Sequence, residues 1–397
     1  MAHLGAWMPF EPGAKMIGHF THVDVSEPTV RRTTERAGEA YEEIQRAAAE
    51  TLLEELPEAP AGPAVQQISV DGAMVPLVGG QWAEVKTLAI GVVKERVVGG
   101  EQEVYTEELS YFSRLADHES FRRLALVETH RRGTEKAGKV AAVNDGADWE
   151  QGFVDYHRPD AERILDWGHS TEHLAAAAQA VFGAGTAETS EWLGVQLKEL
   201  KQGDPEKVLN GLRGLRDGLL AQGEGERDGG ALKVVRESLE YLEKRRDQIR
   251  YAEFLAAGLP IGSGAVESGN KLVVEFRLKG SGMHWAREHV NPMVALRNVV
   301  CSDRWDEAWA QIVRQLRKEA KERAEQRRIE RATAKGAVSE PDGQPLVAIE
   351  PAETALIAVA AAEAAPVQMA NKPAGGDRRP AENHPWRRMP IGRARAA

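Results

Sequence analysis

A single cysteine, Cys301, stands in 397 residues. That scarcity excludes an internal disulfide framework and any cysteine-based zinc finger within the chain. Long apolar runs are missing too. No stretch reaches the roughly 18 uninterrupted apolar residues that a spanning helix requires, so no membrane partner is expected. The opening "MAHLGAWMPFEPGAK" lacks the charged-then-apolar layout of a secretory signal, and a cytoplasmic location is the expectation. Net positive charge is also absent: at −10 overall, the composition counts against a simple nucleic-acid-coating protein. The deficit is unevenly spread, however. Residues 311–335 carry nine Lys/Arg against four Glu, and residues 371–397 carry seven Lys/Arg against two acids, a local balance of +5 in each. An acidic body with a basic C-terminal end permits a polyanionic partner.

Hydrophobic content of 42% and charged content of 28% are ordinary for a globular chain, and the length allows one large domain with appendages, or two domains. Three carboxylates stand out within it: Asp71 in "QQISVDGAM", Asp145 in "GKVAAVNDGADW" and Glu267 in "LPIGSGAVESGNK". The first two close short apolar runs and are followed by Gly, which predicts the end of a buried strand in each case. The third opens a predicted helix after a Pro/Gly/Ser turn. Carboxylates at the ends of neighbouring strands, joined by one from a helix, can converge on a pair of divalent ions. Their oxygens suit Mg²⁺ or Mn²⁺ better than Zn²⁺. Asp148 and Glu275 are the competing acids. Asp148 is placed to cap the following helix, and Glu275 lies deeper in its own.

Residues 1–56 read as a helical N-terminal appendage. Within it, 14–37 predict two short helices around a tight turn, the second starting at Ser26 with Pro28 in its first turn. Val30, Thr33 and Thr34 would face inward and Arg31 and Arg32 outward, as in a helix-turn-helix, with an ordinary helical hairpin as the alternative. "PEAPAGPA" (57–64) is a linker. Apolar runs near 65–70, 84–93 and 103–112 predict a three-strand meander. Alternation follows: a helix over 117–132, a strand over 139–144, a helix over 148–157 and a strand over 163–167, leading to a helix that starts near Ser170. The expected class is α/β, a mixed sheet flanked by helices. Residues 186–255 break the alternation as an all-helical insertion, and 256–310 return to the core. Residues 311–335 form a basic helix, and 336–397, rich in Ala, Glu and Pro, are expected to be disordered. Lys271 lies one turn beyond Glu267 on the same face. Arg277, Lys279 and Trp285 follow around a Gly-rich loop, suited to phosphate contacts and base stacking on a strand held near the acids.

"VDGAMVP" (70–76), "VNDGADW…FVDYHRPDAERILDWGHSTEHL" (143–174), "PIGSGAVESGNKLVVEFRLKGSGMHW" (260–285) and "NHPWRR" (383–388) together resemble bacterial insertion-sequence transposases of the Kra type, within the Mutator-like group of DDE transposases. The resemblance implies an RNase H-like catalytic core with a helical insertion before the last acid. It also implies Mg²⁺-dependent (or Mn²⁺-dependent) DNA cleavage and strand transfer, with Asp71, Asp145 and Glu267 as catalytic, metal-holding residues. Asp166 and His169, in "DWGH", fall where the wider group carries an Asp-or-Cys, two residues, His signature. His169 is then expected to contact DNA or to hydrogen-bond within the core, with Asp166 orienting it. DNA (transposon ends and target), a homodimer or larger synaptic complex, and nucleoid association when acting are further implications. The chain departs from the family in one respect. Family members usually carry a longer N-terminal region with cysteine-based zinc-binding elements, and this chain is expected to begin inside or after it.

Overall fold

The computed structural model describes residues 1–336, apart from 56, 100, 224–229 and 281. The disorder expected beyond this range, and the "NHPWRR" motif, lie outside the described residues. From the N-terminus come α1 (Ala2–Trp7), α2 (Phe10–Thr21) and α3 (Glu27–Glu55), then the strands β1 (Val65–Pro76), β2 (Trp82–Val98) and β3 (Glu101–Arg114). Next are α4 (His118–Arg131), β4 (Lys139–Asn144), α5 (Asp148–His157), β5 (Glu162–Leu165) and α6 (Trp167–Phe182). Four helices follow: α7 (Ala187–Gln202), α8 (Pro205–Ala221), α9 (Ala231–Lys244) and α10 (Tyr251–Ala256). The chain continues with α11 (Gly264–Gly269), a π turn (Asn270–Glu275), α12 (Phe276–Leu278), α13 (Arg287–Cys301) and α14 (Trp305–Gly336). None of the described helices is long and apolar enough to cross a membrane.

Strand periodicity decides which way each residue faces. The five strands form one mixed sheet in the order β3-β2-β1-β4-β5, with β1, β2 and β3 antiparallel and β1, β4 and β5 parallel. Ile68, Val70, Leu88, Ile90, Val140 and Ala142 point to one face, where α4 and α5 cover them through Phe121, Ala125, Phe153 and Val154. On the other face Ala73, Val75, Val85 and Ala89 pack against Val266, Val273, Val274, Leu278 and Val294 of the α11–α13 segment. Ala141 and Val143 of β4, with Ile164 and Leu165 of β5, join a third cluster with α6 to α10. An odd-numbered position on β1, Asp71 included, therefore shares the α11 side of the sheet.

Three expectations need correction. Asp71 does not end its strand. β1 runs on to Pro76 because β2 keeps pairing with it (Asp71 opposite Thr87), whereas the parallel pairing with β4 stops at Ile68 and Ala142. The helix placed near Ser170 starts at Trp167, because the Asp166 side chain accepts from the His169 backbone N–H and caps it there. Finally, the N-terminal helices are no appendage. The helix after the turn runs unbroken for 29 residues, and Ala2, Ala6, Ala37 and Ala40 share a core with Leu296, Val300 and Ile312 of α13 and α14.

Small residues make that docking possible. At the α3–α13 contact a Cβ on Gly38 would lie 2.2 Å from the Pro292 carbonyl oxygen. Backbone cannot yield as a flexible side chain can, so Gly38→Ala should cost about 1–3 kcal/mol by overpacking. A methyl group on Gly214 of α8 would meet nothing within 4 Å, and Gly214→Ala should instead stabilise by up to about 1 kcal/mol. Paired denaturation curves check both signs.

Candidate functional site

β4 ends at Asn144, whose Oδ1 accepts from the Val70 N–H at 2.7 Å and so continues the link to β1 where the ladder has stopped. One residue on, Asp145 leaves the sheet, and Gly146 turns the chain at φ +85°. A side chain at Gly146 would be strained by that angle and would also meet the Arg245 side chain at 2.2 Å. Arg245, the residue after α9, donates Nε and Nη2 to the Gly146 carbonyl at 3.1 and 2.6 Å, while the hydroxyl of Tyr241 in α9 donates to the Asp145 carbonyl. The helices of 187–256 thus hold the Asp145 turn in place.

Carboxylate oxygens of Asp71, Asp145 and Glu150 all lie within 4.8 Å of one another. Asp71 accepts from the Gly72 N–H (2.6 Å) and from Asn270 Nδ2 (2.7 Å). Glu150, buried in α5, accepts through Oε2 from the N–H groups of Gly146 (2.8 Å) and Ala147 (2.9 Å). Loss of water raises the Asp71 carboxyl above its usual range despite those hydrogen bonds. Burial, with repulsion from Asp71, Asp166 and Glu267, lifts Asp145 to about 6 against the pull of His169. Burial and the Asp145 charge push Glu150 to about 8.

A second set joins Asp145 to Asp166 and His169. His169 Nε2 lies 3.1 Å from Asp145 Oδ2, and its Nδ1 lies 3.4 Å from Asp166 Oδ2. The Asp166 hydrogen bond, opposed by burial and assisted by the Asp145 charge, raises the imidazole to about 9. Burial works to raise Asp166, but hydrogen bonds from His169 and from the Ser263 N–H (2.6 Å) outweigh it and hold the carboxyl below its ordinary value. Asp166 thereby ties β5 and α6 to the turn that begins α11. His173, one helical turn past His169, takes no part: its ring stacks on Tyr241 at 3.9 Å.

Glu267 stands apart from both sets of closely spaced ligand atoms among the described residues. It is exposed on α11, its Oε1 accepts from Ser263 Oγ at 3.3 Å, and it shares an open cavity of about 350 Å³ with Asp71, Asn270, Lys271 and Lys279. Lys279 pairs with Glu275 at 2.6 Å. Asp148, the competitor of Asp145, is exposed and paired with Lys244.

Arg277 and Trp285 do not lie beside the acids, contrary to expectation. Trp285 is buried in the core, and its Nε1 donates to the Leu278 carbonyl at 3.1 Å. Arg277 is buried and donates Nε to the Gly5 carbonyl. Trp285 is held in the core by its backbone bridge to Leu77, its main-chain N–H donating to the Pro76 carbonyl at 3.0 Å. For Arg277 the cause is the π turn. An i→i+5 turn admits one extra residue and rotates everything after it relative to a regular helix. Phe276 is accordingly left 69% exposed while Arg277 turns inward. Buried Arg297 of α13 holds this turn, donating to the Leu272 and Val273 carbonyls and, at 3.1 Å, to Ala6. Arg31 and Arg32 are exposed as expected, but they line a different cavity together with Arg277 and Trp285.

Glu150, Asn270, Tyr241, Arg245 and Arg297 were not anticipated. Glu150 had a signal, since a Glu three residues past a helix start reaches back to the first N–H groups. The other four act across long sequence separations and carried none. No known family model matches the chain, and none of the curated proteins matches it.

Asp145, Glu150 and His169 all bind protons more tightly when folded. Stability tied to them is complete below their ordinary values of 3.8, 4.5 and 6.5, and is lost as pH rises through about 6, 8 and 9 respectively. In chelator, the melting temperature should therefore fall as pH rises across that window. Glu150→Gln, which keeps a carbonyl acceptor but no charge, should flatten the slope and raise the alkaline melting temperature. A wild-type melting temperature independent of pH would contradict the repulsion.

Proposed function

We propose that this chain is a DDE transposase, catalysing metal-dependent DNA cleavage and strand transfer of an insertion sequence on an RNase H-like core. One observation carries the reading: Asp71 of β1 and Asp145, just past the end of β4, meet with Glu150 in a half-buried niche where their charges repel. The strand order and directions are compatible with an RNase H-like sheet. The fit to a hard divalent cation rests on donor chemistry. All-oxygen carboxylate ligands suit Mg²⁺ or Mn²⁺, and a cation would offset the burial and mutual repulsion that raise Asp145 and Glu150.

Asp71 and Asp145 would hold such ions, with Glu267 completing the set from the rim of the shared cavity. Bound divalent ions supply an activated water or 3′-hydroxyl and stabilise the leaving oxygen in displacement at phosphorus. The protein's own groups position and balance charge. Asn270 fixes the Asp71 carboxylate, Glu150 and Arg245 fix the turn that carries Asp145, and His169, held as a cation, offsets negative charge on Asp145. Lys271 and Lys279 border the cavity where a DNA phosphate would enter. No protein nucleophile is required, so rate would come from geometry and charge. Joining two ends requires a homodimer or larger synaptic complex with both transposon ends and target DNA.

A host nuclease on the same scaffold would cut without joining. The separating experiment is cleavage and joining of DNA carrying the element's own ends, in Mg²⁺ and in Mn²⁺. Nicking at the ends followed by joining is expected. Asp71→Asn, Asp145→Asn and Glu267→Gln should each lower it by at least about a hundredfold, and Glu150→Gln by about 10–100-fold as a supporting group. Cutting without joining would favour the nuclease. Full activity in Asp145→Asn would refute both.

A further inference from the structure

Apart from the acids, a groove of about 690 Å³ opens between α2, the start of α3 and the loop that precedes α13. Its size is that of a small-ligand site. Arg277 lines it while only 2% exposed. This guanidinium is fixed in place: Nε donates to the Gly5 carbonyl at 3.0 Å, and the group lies 4.7 Å from the Phe10 ring centre and 5.1 Å from that of Trp285. Its Nη2 has no hydrogen-bond partner among the described residues. A buried, charged donor without an acceptor costs free energy that a bound anion would return. Burial lowers Arg277 only to about 10, so it remains a cation near neutrality.

Exposed Arg31 and Arg32 line the same groove, with half-buried Phe10 and Met283 as apolar wall. Three carboxylates also border it. Glu11 is paired with Lys15 at 2.7 Å, Glu35 faces His289 at 3.8 Å, and Glu27 lies in the first turn of α3. With Glu11 compensated, three arginines face two carboxylates, and the fork geometry of guanidinium suits a tetrahedral oxyanion.

We propose that this groove binds a phosphate group carried by a nucleotide, with exposed Arg31 and Arg32 as the direct contacts at the rim and the buried Arg277 guanidinium as the fixed positive charge beneath them. The site is separate from the acids and does not require them, so it reaches beyond the cleavage chemistry proposed above.

The test is equilibrium binding to the full chain in chelator, which silences any cation-dependent binding at the acids. The probes are inorganic phosphate, a mononucleotide, a short 5′-phosphorylated single strand and the same strand without its phosphate. The phosphorylated strand should bind more tightly than the unphosphorylated one. The Arg31→Ala/Arg32→Ala double variant and Arg277→Gln should each weaken it by at least about tenfold. Because Arg277 is buried, its variant counts only if its circular dichroism and melting match wild type; the surface double variant keeps the test decisive otherwise. Tighter binding of the strand than of the mononucleotide assigns the site to nucleic acid, and equal binding assigns it to a free nucleotide. Equal affinity of wild type and the double variant, or no binding of any phosphate probe, would overturn the proposal. If the wild-type chain binds at the groove but cuts no DNA in Mg²⁺ or Mn²⁺, this site stands and the transposase reading falls.

Discussion

Negative charges that repel one another are held together where β4 ends beside β1, and much of the surrounding chain is occupied in keeping them there. Asp71, Asp145 and Glu150 are close enough to share one cation, and burial denies them the water that would screen them. Left free, the Asp145 turn would swing outward and relax the repulsion. It is prevented from doing so by the Glu150 carboxylate across Gly146 and Ala147, and by Arg245 and Tyr241 on the backbone of Asp145 and Gly146. Such concentrated, unrelieved charge destabilises a fold and is commonest where a site needs it.

The elements far from the sheet gain a role from this. α9 and the residue after it supply Tyr241 and Arg245, so this part of 187–256 reaches the backbone of the Asp145 turn directly. Asp166 caps α6 and also accepts from Ser263, setting the start of α11 from which Glu267 projects. The π turn after α11 carries Asn270 to Asp71, and its freed carbonyls are satisfied by Arg297, which also grips the end of α1. Hydrogen bonds and the backbone of the π turn therefore connect the N-terminal helix to Asp71.

Much of this could be read from sequence where the cause was local. The Asp-Gly at 145–146 follows an apolar run and marks a strand end because the turn requires a positive φ that glycine supplies. Asp71 carried the same local signal, but β1 outlasts β4 because β2 continues to pair with it, and partner length is not written in the strand itself. The carboxylates Asp71 and Asp145 were found together because both lie at the point where parallel pairing gives out. Arg277 turns inward because a π turn inserts a residue that a 3.6-residue period does not anticipate, and Trp285 is drawn into the core by a backbone bridge to Leu77, a partner far away in sequence. The partners that immobilise the acids, Arg245 and Asn270, lie 99 and 199 residues from the groups they hold, and nothing in their own neighbourhoods reveals the pairing.

The most direct measurement is Mn²⁺ uptake, followed by electron paramagnetic resonance as the ion is titrated into the wild-type chain, Asp145→Asn and Glu267→Gln. A paired-ion carboxylate centre predicts about two ions bound per wild-type chain, with Asp145→Asn losing both and Glu267→Gln losing one or binding it more weakly. Wild-type uptake no greater than that of Asp145→Asn would contradict a metal centre at these acids, and the chemistry built on it.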